Sequence, residues 1–230
     1  MEADSGKAPN PYVELAKAAI RAYVEHGRVI SFTPVDAKLG YGAPSLQGSS
    51  GVTDSAGMQG SANAPSAPGS QGVPAHVPAD VDLSPLFRAR AGVFVSIKKN
   101  GELRGCIGTI SPVRPDVANE IVANAISACS RDPRFDPVEP RELNDLTVSV
   151  DVLSEAEQIT DISQLDASKY GVIVSKGMRR GLLLPNLEGV DDVGHQIAIA
   201  LSKAGIRPSE SYAVERFEVV RHEAGGKMRI

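Results

Sequence analysis

Val93-Phe94-Val95-Ser96-Ile97-Lys98-Lys99-Asn100-Gly101-Glu102-Leu103-Arg104-Gly105-Cys106-Ile107-Gly108-Thr109-Ile110 reads as a β-hairpin. Val93 to Ile97 is the β-branched and aromatic composition of a strand. Asn100-Gly101 is the favoured two-residue turn, because both of its positions need a positive φ. The return strand runs from Glu102 to Ile110, and Ser111 to Pro115 breaks it. A hairpin argues against a purely parallel sheet.

The flanking sequence alternates helix and strand signals. Asp116 to Ser130 places Ala118, Ile121, Val122, Ala125 and Cys129 on one helical stripe, and Asp132-Pro133 ends it. Leu146 to Val152 has the period of a strand, with Thr147, Ser149 and Asp151 on its polar side. Gly171–Ser175 and Gly181–Leu184 form a second hairpin around Lys176-Gly177. Asp191 to Ala204 is a helix stopped by Gly205, and Tyr212 to Arg221 is a last strand. Upstream, residues 11–26 form a helix that Gly27 stops. No internal repeat is read from this order. It predicts an α+β fold with antiparallel or mixed sheets flanked by helices.

Residues 44–80 depart from this pattern. Gly, Ser, Ala, Pro and Gln dominate, so the segment cannot repay its ordering entropy and is expected to be a disordered surface insertion that includes His76. Residues 1–10 and 223–230 are expected to be flexible tails.

The 230 residues suit one large domain or two small units sharing a core. A net charge of -4 gives no global basic field to gather nucleic acid. Cys106 and Cys129 make no disulfide framework, and no metal-ligand spacing is present. No apolar run approaches the roughly 20 residues that span a bilayer. The expected compartment is the cytoplasm, with no membrane association.

Leu103 to Gly108 is the most unusual stretch, because two glycines inside a strand cost stability. They fit a bulge, or close approach of a ligand or another backbone. In a regular strand Arg104 and Cys106 point to one side, and a guanidinium beside a thiol favours the nucleophilic thiolate. Against this stands packing: a plain Asn-Gly hairpin opposes Cys106 to Val95, on an apolar face, and spacing alone favours that reading. Asp132 and Arg134 follow the middle helix, either as an anion site with Arg131 or as a capped turn. Lys176, Arg179 and Arg180 make a basic hairpin tip that either solvates or touches an anionic ligand. His222 reads as surface decoration, and His195 as a mid-helix, partly exposed position. No carboxylate pair has a spacing that singles out acid–base chemistry.

The run Leu103-Arg104-Gly105-Cys106-Ile107-Gly108 resembles the hallmark of the AMMECR domain family, whose prokaryotic members are called AmmeMemoRadiSam system protein A. Gly92 to Ile97, Asp132-Pro133-Arg134-Phe135, Tyr170 to Lys176, Gly181 to Pro185 and Lys203-Ala204-Gly205 fit the same pattern. The resemblance covers residues 11–222 outside the insertion. It departs from the family at the long insertion near Tyr41 and at His195. It implies two subdomains with a cleft between them. It also implies association with a Memo-like protein and a radical S-adenosylmethionine enzyme in a modification pathway, with cofactors unknown. Three functions follow as expectations. The first is an enzyme or enzyme component using Cys106 and Arg104, with Gly105, Gly108, Asp132, Arg134, Lys176 and Arg180 as ligand contacts. The second is a non-catalytic adaptor, and the third an RNA- or nucleotide-binding protein.

Overall fold

The computed structural model describes residues 9–32, 45–48, 77–78, 80–223 and 228. Local chemistry sets the helices. Asn10 Oδ1 accepts the Tyr12 N–H at 3.1 Å and opens α1 (Pro11–His26), which Gly27 closes at φ 63°. Asp116 opens α2 (Val117–Ser130) through the Asn119 N–H. Asp192 opens α3 (Val193–Ala204) through the His195 N–H, so His195 lies in the first turn rather than at mid-helix.

A short ribbon pairs β1 (Arg28–Ser31) with β2 (Ser45–Gly48). The stretch expected to be disordered therefore contributes a strand, while Tyr41 and His76 lie outside the described residues. The main sheet is built from seven strands: β3 (Val93–Lys99), β4 (Glu102–Gly108), β5 (Leu146–Leu153), β6 (Glu157–Ile159), β7 (Tyr170–Lys176), β8 (Arg179–Leu183) and β9 (Ala213–Glu223). Its order is β4-β3-β5-β9-β7-β8, with β6 also on β9, and every pairing is antiparallel.

That order is symmetrical about the β5–β9 contact. β3-β4-α2-β5 and β7-β8-α3-β9 are the same hairpin–helix–strand unit twice, with each closing strand beside the first strand of its hairpin. The two units share sequence as well. Gly92-Val93-Phe94-Val95-Ser96 corresponds to Gly171-Val172-Ile173-Val174-Ser175, and Leu103-Arg104-Gly105 to Arg179-Arg180-Gly181. The chain thus does contain an internal repeat. A Cβ on Gly105 would strike the Ala128 carbonyl of α2, and one on Gly181 the Ala200 carbonyl of α3. Both glycines exist so that a helix backbone can rest on the hairpin.

Val150 pairs with His222, and Val172 and Val174 pair with Arg216 and Val214. These partners are all even-numbered on β9, so the core-facing residues of both units share one side of the sheet. On that side α1 and α2 bury Val93, Val95, Ile97, Val148 and Val150, while α3 buries Val172, Val174 and Leu183. The sheet curls so that its other side closes on itself. There Phe94 and Leu153 of the first unit meet Ile173, Leu182 and Phe217 of the second.

Three further expectations change. The second hairpin turns at Gly177-Met178, one residue later than read from sequence. His222 is not surface decoration: its ring stacks on Tyr12 at 3.7 Å and meets the Asn10 amide, and burial holds its pKa below the usual value. The expected tail at 223–230 begins inside β9, and Met228 is buried, with its N–H on the Leu146 carbonyl.

Candidate functional site

A β-bulge at Arg104 decides the geometry of the hexapeptide. Lys98 pairs with Leu103, but Ile97 pairs with Gly105, leaving Arg104 without an opposite residue. The expected pairing of Cys106 with Val95 is therefore wrong: Cys106 lies opposite Ser96, on the curled, polar side of the sheet. Its half-buried sulfur accepts a hydrogen bond from Ser96 Oγ at 3.3 Å.

The bulge also separates Arg104 from the thiol. Arg104 reaches Glu142 with Nε at 3.1 Å and Nη2 at 2.9 Å, and donates to the carbonyls of Asp136 and Pro137. With Lys99 and the Glu139 N–H, it holds the Glu142 pKa down at about 2. The expected Arg104–Cys106 partnership is thus replaced by a structural ion pair.

Other guanidiniums serve Cys106. The loop after α2 folds back so that buried Asp132 accepts the Cys106 N–H at 2.8 Å. Arg134 forks onto both Asp132 oxygens and donates to the Cys106 carbonyl at 3.1 Å. These charge-assisted bonds hold the Asp132 carboxyl well below the usual range, with Arg134 the main cause. From β9, Arg221 grips the buried carboxylate of Asp151 at 2.7 and 2.8 Å. Asp151 chiefly raises the pKa of Arg221 and Asp132 that of Arg134, and each guanidinium lies within electrostatic reach of the Cys106 side chain. Cys106, Ser96, Ser149 and Glu223 form one row across β4, β3, β5 and β9. A shallow hollow of about 250 Å³ opens beside it, lined by Lys98, Thr147, Ser149 and Glu223.

The remaining expected contacts lie elsewhere. Gly105 is closed by α2, and a Cβ on Gly108 would strike the Phe94 ring, so protein atoms occupy both close approaches. Lys176 and Arg179 pair with Glu210, and Arg180 with Glu215, far along the sheet from Cys106. Glu120 is fully buried and pins the loop after β4 through Thr109 Oγ1 and the N–H groups of Val113 and Arg114. Cys129 is buried, which pushes its pKa up to about 12. Among the described residues, no cluster of His, Cys, Asp or Glu is placed to hold a metal ion, and no helix is long and apolar enough to cross a membrane. Ser96, Ser149, Asp151 and Arg221 carry no motif that marks them as site residues in sequence. The polar alternation of Thr147, Ser149 and Asp151 was the one signal in sequence that pointed to this face.

Comparison with known proteins agrees with this architecture. The family described as AMMECR1 matches residues 13–224. A Thermotoga maritima protein is 55% identical over 140 residues, covering 60% of this chain and 80% of that protein. A Clostridium acetobutylicum protein is 56% identical over 134 residues, which are 58% of this chain but 28% of that longer one. The crystal structure of an uncharacterized protein from Pyrococcus horikoshii has a TM-score of 0.63 at 25% identity, covering 95% of this chain and 93% of that one.

Proposed function

We propose, from the premise that this chain belongs to the AMMECR1 family, that it is an enzyme or enzyme component whose reacting group is the Cys106 thiol. The carrying observation is the environment of the sulfur. It is partly buried on a polar face, accepts a hydrogen bond from Ser96, and lies within electrostatic reach of Arg134 and Arg221. A thiolate formed there before attack would meet one hydroxyl donor and two guanidinium groups, each shared with a buried carboxylate.

Iodoacetamide treatment of the native protein, read by peptide mass spectrometry, tests the proposal. Cys106 is expected to be alkylated while Cys129 stays unmodified. Arg134→Gln is expected to slow the Cys106 reaction several-fold, on the order of 3–10. Equal resistance of both cysteines would end the proposal.

A second reading, docking on a Memo-like protein or a radical S-adenosylmethionine enzyme, is favoured by the loop after β4. Ile110 and Val113 are exposed on a segment that Glu120 holds rigid. Val113→Asp is expected to abolish co-purification of such a partner from native cells; unchanged capture would remove this reading. RNA or nucleotide binding has less support, because Glu210 and Glu215 already pair the cations of the basic tip.

A further inference from the structure

A second cavity, of about 410 Å³, lies where the two repeat units meet on the curled side of the sheet. Cys106 is not among its lining residues. Ile110, four positions further along the chain, is, and the Phe94 ring over Gly108 stands between. The volume is within the range of small-molecule sites. Its floor is apolar: Leu153, Ile173 and Phe217 are each at most 3% exposed.

Its charged lining residues divide into two kinds. Arg180 and Glu215 pair with each other at 2.9 Å. Arg90 and Glu155 are exposed, and among the described residues neither side chain has a protein partner. An anion alone would leave Glu155 opposed, and a cation alone would leave Arg90 opposed. A molecule carrying both charges satisfies both, and an apolar side chain suits the floor. One rim is also fixed in advance, because Ile110, Ser111 and Pro112 belong to the loop that Glu120 pins at both ends.

We propose that this cavity binds a small zwitterion with an apolar side chain, of the amino-acid or short-peptide class. Arg90 takes the carboxylate, Glu155 the ammonium, and Leu153, Ile173 and Phe217 the side chain.

Calorimetric titration of the whole chain with L-leucyl-L-phenylalanine, its N-acetyl form, its C-terminal amide and free leucine tests this. The dipeptide is expected to saturate one site, and each blocked form to bind on the order of tenfold more weakly. Arg90→Gln should erase the difference between dipeptide and amide, and Glu155→Gln that between dipeptide and N-acetyl form. Both positions are exposed, so the melting temperature serves as the control for folding. Leucine binding as tightly as the dipeptide would assign the amino-acid member of the class. The proposal is overturned if dipeptide and leucine both fail to bind, or if the blocked forms bind equally well. It is also overturned if binding survives in Ala156→Trp, which fills the cavity.

Discussion

At the scale of single residues, the two glycines and the arginine of the hexapeptide turn out to be structural. Gly105→Ala would drive a Cβ into the Ala128 carbonyl, and a backbone atom cannot step aside as a side-chain tip can. The expected cost is about 3 kcal/mol or more, seen as a lower urea midpoint with the slope unchanged. Arg104 gives a pH dependence. The folded-state pKa of Glu142 is depressed from 4.5 to about 2, first by its bonds to Arg104. That stability is fully present above pH 4.5 and is lost as pH falls toward 2. About 2 kcal/mol should disappear across this window, and Arg104→Met should flatten the loss; urea midpoints at pH 7, 4 and 2.5 measure it. The sequence marked both glycines as anomalous but could not say what approached them, since the Ala128 carbonyl over Gly105 and the Phe94 ring over Gly108 are neighbours only in the fold. A bulge was one of the two readings the glycines allowed, but its place at Arg104 was not legible. One unpaired residue turns every later side chain to the other face, and no local composition encodes it.

Among elements, the ends of the helices were the most readable features. Asn10, Asp116 and Asp192 open them and Gly27 and Gly205 close two of them, all through contacts within a few residues. The edge of the sheet at β4 was not readable. Asp132 and Arg134 take the N–H and C=O of Cys106 that a further strand would otherwise take. Asp132→Asn removes the carboxylate that Arg134 grips and loosens this cover. The variant is expected to lose about 2 kcal/mol and to show faster light scattering on warming, as an uncovered edge pairs with other chains. Equal scattering for variant and parent would show that the edge needs no such cover.

For the molecule as a whole, α+β class and antiparallel pairing followed from the two hairpins, and the structure has both. The repeat is faint in sequence although Gly-Val-Phe-Val-Ser and Gly-Val-Ile-Val-Ser are both present in the chain. The first hairpin is longer and bulged, so the matching segments fall at unequal spacing. The contact between units depends on β5 finding β9, a pairing between strands some 70 residues apart that no local pattern announces. Because one sheet runs through both units, they are expected to unfold together. Phe217→Ala, in the junction, should cost about 3–5 kcal/mol and shift fluorescence and circular-dichroism transitions equally. Two separated transitions would show that the units are independent.

The β5–β9 seam has a consequence during synthesis. When Leu153 leaves the ribosome, the first unit has its hairpin, its helix and its closing strand, but the free side of β5 has nothing to pair with until Glu223 is made. At roughly 5–20 residues per second that exposure lasts about 4–14 s. His222, which stacks on Tyr12 of the first helix, arrives together with that strand. The nascent chain therefore carries an unfinished edge while the second unit is being made, and an attending chaperone would find its target there.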